Sequence, residues 1–523
     1  MKRTLSLLLA SALLLLCGCG SKALPRQETG QDGGHIIADI GVSPQPARPE
    51  ILHFYEEREY FDDWDGDTRL CHVEYPLFTL DNEDAADFPG LNASVEEFNA
   101  QSSRIGADIR GELAGGALEF RELDEENFSE FFHETRCFIP RADSRAVSIL
   151  SAVNKFTGGQ YNDYYFRCAN FDTLSGRQLS LEDVMTDTAA LPELLAQQLL
   201  ENYPEAEFFG LEESLEAYME DTAAFTWSLD YGGLSFYFSP YELAPYADGL
   251  LTVSLSFSRY PDLFSEYYIS TPSAYAQPII AGRAMNYDLD LDGRNDEIST
   301  RAAANEESGL IEKLEIGVNG REITVSTGIK DYDAYVLRAG PGRSYLFINA
   351  ANLSSHGYIS VYKLNRSGAE LAGMLYNTSL QAAGFTDFCP GKPVLTDPTE
   401  FRMGTRTELL GTMTGIKSYH TGNSGLPESD EEFYALDSDT VLTSKRSFIT
   451  ATLDPRTGGG SGSTANIPAG TKFYFWRSDG RSFVDMYTDA GVYCRLYVSG
   501  KGEGQQVNGM PAMESFDGIK FQD

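Results

Sequence analysis

Between residues 88 and 113 apolar side chains recur at helical spacing. Leu91, Val95, Phe98, Ile105 and Ile109 fall three, four and seven apart. That makes one stripe of an amphipathic helix, with Asn92 or Ser94 placed to cap its start. The pattern then shifts to alternation. Residues 145–172, RAVSILSAVNKFTGGQYNDYYFRCANFD, read as two β-runs around Gly158 and Gly159, which supply the positive φ of a turn. Residues 174–185 turn at Gly176 and predict a helix capped by Ser180 with Asp183 three positions on. Two more helices are predicted over residues 188–204 and 211–221, followed by strand, turn, strand, loop and strand over 224–258. Helices interleaved with antiparallel hairpins predict an α+β domain over residues 49–272.

From about residue 276 helical periodicity fades. Short alternating runs such as LEIGVNGREITVST and KFYFWRSDGRSFVDMYTDAGVYCRLYV predict all-β domains over 273–405 and 406–523, with turns at Asn319-Gly320, Asp479-Gly480 and Gly491. RTGGGSGSTANIPAG, residues 456–470, reads as a flexible loop or linker. The last hairpins resemble a small SH3-like barrel.

Composition changes the picture mainly through charge. The chain carries 40 Lys and Arg against 78 Asp and Glu, a formal net charge of −38. It repels nucleic acid and anionic wall polymers at long range and attracts cationic proteins, with screening beyond about 8 Å at physiological salt. The N-terminus is the most specific local signal. Lys2 and Arg3 precede an apolar run over 5–16, too short to span a membrane, and then LCGCGS. This resembles a bacterial lipobox. The resemblance implies cleavage of residues 1–18 and a diacylglycerol anchor on Cys19, with residues 19–48 as a Gly- and Pro-rich tether. It places the rest of the chain outside the cytoplasm, lipid-anchored in the outer leaflet. After Cys19 come Cys71, Cys137, Cys168, Cys389 and Cys494, an odd number at wide spacing with no CxxC, so mostly unpaired thiols are expected.

Two stretches carry candidate chemistry. DLDLDGRNDEI, residues 288–298, puts Asp288, Asp290 and Asp292 at positions one, three and five of a loop. Gly293 sits at six, the Arg294 carbonyl is available at seven, and Asp296 is at nine. Alternating carboxylates before a glycine suit a hard cation such as calcium, held structurally. Ser299 stands at position twelve and no flanking helices are evident, so this is no EF-hand. A looser acidic turn lies at Asp63, Asp65 and Asp67.

The second stretch, FSPYELAPYADG at 238–249, has one carboxylate, Glu242, with no His, Cys or second acid beside it for acid-base work. Pro240 and Pro245 fix φ, Gly249 ends the excursion, Tyr241 and Tyr246 offer ring area to bury, and Glu242 offers an acceptor to loop amides. With DTLSGRQLSLEDVM upstream, where Met185 replaces an aromatic, the segment resembles the signature of the RsiV-type extracellular domain of lysozyme-sensing anti-sigma factors, also found beside secreted polysaccharide deacetylases. The resemblance covers about 70–265. It implies an exported α+β binding domain in which Tyr241, Glu242, Pro245, Tyr246 and Gly249 are structural. Neither the transmembrane and sigma-binding segments nor the deacetylase domain of those architectures is expected from these residues.

No HExxH, GxSxG, SxxK or P-loop is present, and the six histidines are scattered. The expected function is therefore a non-enzymatic cell-surface lipoprotein that binds lysozyme or another cationic wall-active protein. The alternatives are a peptidoglycan accessory or adhesion protein and a glycosidase whose acid pair leaves no local signature.

Overall fold

The structure, a computed structural model, describes residues 49–521 apart from 293, 306, 353–356, 381–390 and 439. Cys19 and its tether, Gly293 and Cys389 lie outside the described residues. The described residues form one compact unit. No described helix is long and apolar enough to cross a membrane.

The N-terminal part is α+β. Strands β1 (Phe54–Asp65) and β2 (Thr68–Leu80) form a hairpin, and helices α1 (Asn82–Asp87) and α2 (Pro89–Leu123) follow. Strands β3 (Phe131–Ala142), β4 (Ala146–Phe156) and β5 (Asp163–Asp172) complete the sheet, in which β2 and β3 run parallel and the other pairs antiparallel. The helix predicted over 88–113 exists but is longer. It starts at Pro89, whose missing N–H is no loss in a first turn, and no side chain caps it. Ser94, expected as a cap, instead donates to the Gly90 and Gly176 carbonyls. Beyond residue 113 the stripe continues through Leu113, Ala117 and Phe120 against Phe131, which keeps a Gly-rich stretch helical. The acidic turn at 63–65 is tied to this helix: Arg110 pairs with Asp63 in two bonds of 2.7 Å, and Arg121 pairs with Asp65.

Next come α3 (Leu181–Val184), α4 (Leu191–Asn202) and α5 (Leu211–Tyr218), then a three-stranded sheet of β6 (Thr226–Leu229), β7 (Gly233–Phe238) and β8 (Leu251–Ser256), and the short α6 (Glu266–Ile269). The Ser180–Asp183 capping box is present. One core joins α3, α4, α5 and α6 to this small sheet, around Leu195, Leu199, Leu215, Phe236 and Val253.

The remainder is all-β, as predicted. Strands β9 (Tyr275–Ile279), β10 (Ala284–Tyr287), β11 (Asp296–Ala304), β12 (Ile311–Val318), β13 (Arg321–Ile329), β14 (Asp331–Arg338), β15 (Ser344–Ala351), β16 (Tyr358–Asn365) and β17 (Gly368–Tyr376) build a four-stranded and a five-stranded sheet over a shared core. A further sheet holds β18 (Thr378–Ser379) and the strands from 401 onward, while β19 (Lys392–Pro393) crosses back to extend the first sheet beside β1. The C-terminal strands form no closed barrel, so the SH3-like expectation is corrected. The 456–470 segment is not a free linker either. Residues Gly460–Ile467 pair with Phe448–Leu453, because backbone pairing needs no apolar side chain. Buried Ile467 and bonds among the Thr452, Ser461 and Ser463 hydroxyls hold this ribbon.

One fully buried cation joins the large sheet to the small one. Arg141, at the end of β3, donates through Nε to Asp143 at 3.0 Å, and through Nη1 and Nη2 to the Tyr268 and Ser270 carbonyls. Its guanidinium lies over the Tyr231 ring. Asp143 in turn accepts the Arg145 and Ala146 amides. Replacing Arg141 by Met strands a buried carboxylate, and the expected loss is about 3–5 kcal/mol in denaturant unfolding.

His133, also on β3, is buried and neither ring nitrogen has a partner among the described residues. Burial, with Lys155 and Arg167 adding to it, pushes its pKa down from 6.5 to about 4. The unfolded imidazole takes up its proton near 6.5 and the folded one only near 4. Stability is therefore lost as pH falls through that interval. Unfolding midpoints of H133L should lack this acid-side loss.

Candidate functional site

The signature loop is built as scaffold with one exception. Its Glu242 accepts from the Ser239 amide and from the Tyr218 hydroxyl on α5, so a single carboxylate ties the loop to the helix layer. Burial, and then Glu242 itself, raise the Tyr218 pKa. Pro245 opens a single 3₁₀ turn over Tyr246–Asp248. Gly249 closes it at φ 69 and ψ −150, a conformation open only to glycine. Tyr246 donates to the Asn162 carbonyl at 2.9 Å, which fastens the loop to the β4–β5 connection.

The exception is Tyr241. Its ring was expected to be buried, yet it is 68 % exposed, and its backbone stands at φ 70. A bulky residue in the left-handed region costs about 1–3 kcal/mol and persists only where its surroundings impose it. Here the Tyr241 amide is fixed to the Ala244 carbonyl at 3.0 Å. The ring stacks obliquely on Tyr246 at 5.7 Å, and Tyr246 on Tyr161 at 4.9 Å. Tyr161 is 60 % exposed and comes from the β4–β5 connection. Half-exposed Phe209 is tied to the same loop through its backbone, its amide bonded to the Leu243 carbonyl.

The electrostatic setting is one-sided. Residues 182–258 contain fifteen Asp and Glu and no Lys, Arg or His. Glu205, Glu207, Glu212, Glu213 and Glu216 lie on the α4–α5 connection and α5, where the buried face is left to Leu211 and Leu215. The Glu207 amide reaches Asp248 of the loop, so this acidic run borders the exposed rings. The charge asymmetry was visible in the sequence. The pairing of the loop with Tyr161 and Phe209 was not, because those contacts are non-local.

The second predicted site also folds into a cluster. Carboxylate oxygens of Asp288, Asp290 and Asp296 lie within 4.8 Å of one another. Asp296 is buried and accepts the Leu289 amide at 3.1 Å and Asn319 Nδ2 at 2.7 Å. Asp292 bonds the Arg294 amide at 2.8 Å, which turns the chain, and Arg294 itself is exposed. A residue that the sequence pattern did not reveal completes the cluster. Arg366, in the β16–β17 turn, donates to Asp296 through Nε at 3.0 Å and to Asp292 through Nη1 at 2.5 Å, with Asp290 at 3.5 Å. The guanidinium supplies positive charge to the loop, and these carboxylates hold its pKa up. The oxygen set suits a hard cation, which would compete with Arg366 for the same carboxylates.

Other predicted features are placed without forming a site. Cys71, Cys137, Cys168 and Cys494 are free thiols. His133 is buried in the first sheet, with Cys137 on the same strand bonded to the Ser151 hydroxyl.

Residues 182–258 match the family described as "Protein of unknown function (DUF3298)", so the chain contains a DUF3298 domain. A DUF3298-family protein from Bacteroides fragilis is similar at 18 % identity over 41 % of this chain and 94 % of its own, with a TM-score of 0.29. One from Pseudomonas aeruginosa is similar at 13 % identity over 43 % and 99 %, with a TM-score of 0.29. No curated protein matches the chain.

If Arg366 serves as the internal cation, R366Q should lower the melting temperature in chelator, and added calcium should restore part of the loss. Adding D290N to R366Q should abolish that restoration.

Proposed function

We propose that this protein is a non-catalytic, lipid-anchored receptor or decoy at the cell surface, of the RsiV type, that binds a cationic wall-active protein such as lysozyme. The observation that carries this reading is the exposed aromatic group of Tyr241, Tyr246, Tyr161 and Phe209 bordered by the acidic run of residues 205–216. Aromatic anchors inside a charged rim are what a specific protein interface needs. The rings bury area at low entropic cost, while the charges steer encounter and reject like-charged partners. A strained backbone that displays a ring to solvent is an arrangement of binding sites rather than of cores. The Asp288–Asp296 loop is a structural calcium site in the same proposal, stabilising the second part of the chain away from this face.

A second reading has its own observation. On the strands Lys472–Ser478, Phe483–Thr488 and Tyr493–Ser499, the half-buried rings of Tyr474, Tyr487 and Tyr493 stack at 5.2 and 5.5 Å, with Trp476 edge-on to Tyr493. Such a row favours peptidoglycan retention. Sedimentation of the full chain with purified peptidoglycan tests it, and loss of retention in a Y487A/Y493A variant is the expected result.

For the leading reading, calorimetric titration of the full chain with a c-type lysozyme should show saturable binding, with Kd on the order of micromolar or tighter, weakening as salt is raised. Y241G separates binding from folding. Glycine relieves the left-handed strain, so stability should hold or rise, while affinity should fall about tenfold or more from loss of the ring.

A further inference from the structure

A cleft of about 290 Å³ lies where the start of β1 and the β2–α1 junction meet the chain around residues 393–402, away from the signature loop. Its floor is apolar: Phe54, Leu380, Leu395 and Phe401 are all buried there, with Val394 beside them. Its rim is charged with both signs. Asp81, Glu83 and Glu400 line it as acids, and Arg402 lines it as a base.

The charges differ in how far they are committed. His53 belongs to a closed clasp. Its Nδ1 lies 3.2 Å from Asp84 and its Nε2 lies 3.7 Å from Asp397, and these two carboxylates, Asp397 first, raise its pKa to about 10. The clasp pins the 397 segment to α1 and fixes the width of the cleft, and its charges are spent on one another. Asp81 is partly engaged, accepting the Glu83 amide at 3.0 Å and the Tyr55 hydroxyl at 3.3 Å. Among the described residues Glu83 and Glu400 pair with no basic side chain and Arg402 pairs with no carboxylate. Unpaired acids and an unpaired guanidinium around an apolar floor select for a molecule with the same division of charge. An ammonium group is drawn to the rim carboxylates of Asp81, Glu83 and Glu400, a carboxylate to Arg402, and an apolar body to the floor.

We propose that this cleft binds a small zwitterion of amino-acid or dipeptide size with an apolar side chain. The proposal is independent of the cationic-protein reading, because it uses none of the residues of that face.

The test uses the full chain and four probes: L-leucine, L-leucyl-L-leucine, N-acetyl-L-leucine and L-leucine amide. A ligand of the native state raises the melting temperature by mass action. The expected result is a rise with leucine or the dipeptide and none with either blocked derivative. Which of the two acts distinguishes a free amino acid from a peptide. Calorimetry with the active probe should then show about tenfold weaker binding in both E83Q and R402Q, since each removes a charge-assisted bond at the rim. No rise with either zwitterion overturns the proposal. So does an equal rise with the blocked forms, or unchanged affinity in both variants.

Discussion

Arg141 is the constraint on which the arrangement depends. A guanidinium with no exposed surface must have its donors met, and three chain segments meet them: Asp143 at the turn into β4, the Asp230 carbonyl, and the Tyr268 and Ser270 carbonyls at the end of α6. Leaving any of them unpaired in a dry interior costs more than the bond itself contributes in water. The first sheet and the small β6–β8 sheet are thereby held in one relation. The signature loop hangs between β7 and β8, and Tyr161 hangs between β4 and β5. The tyrosine cluster is therefore assembled from two connections whose parent strands are locked together beneath it.

The same division between rigid base and displayed edge explains the signature loop. Glu242, Pro245, Tyr246 and Gly249 each satisfy a local requirement: an anchor to Ser239 and Tyr218, a fixed φ, a tie to Asn162, and a glycine-only conformation. Tyr241, held to the Ala244 carbonyl in a strained conformation, instead turns its ring to solvent. Around it lies a stretch without a single basic residue. Scaffold and proposed binding face are thus different residues of one short segment.

Much of the fold was legible in the sequence where the signal was local. The Ser180–Asp183 box, the β4–β5 hairpin and the change from mixed to all-β character all follow from short-range spacing. The extension of α2 to Leu123 was not legible, because Gly111, Gly115 and Gly116 depress helix propensity and only packing of Leu113 and Ala117 on the sheet restores it. The strand at 460–467 was hidden for a related reason, since its Gly and Ser residues read as a linker and its partner lies on the preceding run. At the acidic loop the carboxylates were readable from their alternation. Arg366, about seventy residues on, could be found only once the strands were paired. Tyr241 carried no signal of its exposure, since a tyrosine between prolines reads as ring area to be buried.

The central claim is that the tyrosine face, and not the acidic surface at large, receives a cationic protein. Hydrogen–deuterium exchange on the full chain, with and without saturating c-type lysozyme, tests it most directly. The account predicts slowed exchange in residues 157–162, 205–210 and 239–249 together, with the β-rich part from 276 onward unchanged. Protection spread over unrelated acidic segments, or none in those three, would contradict it.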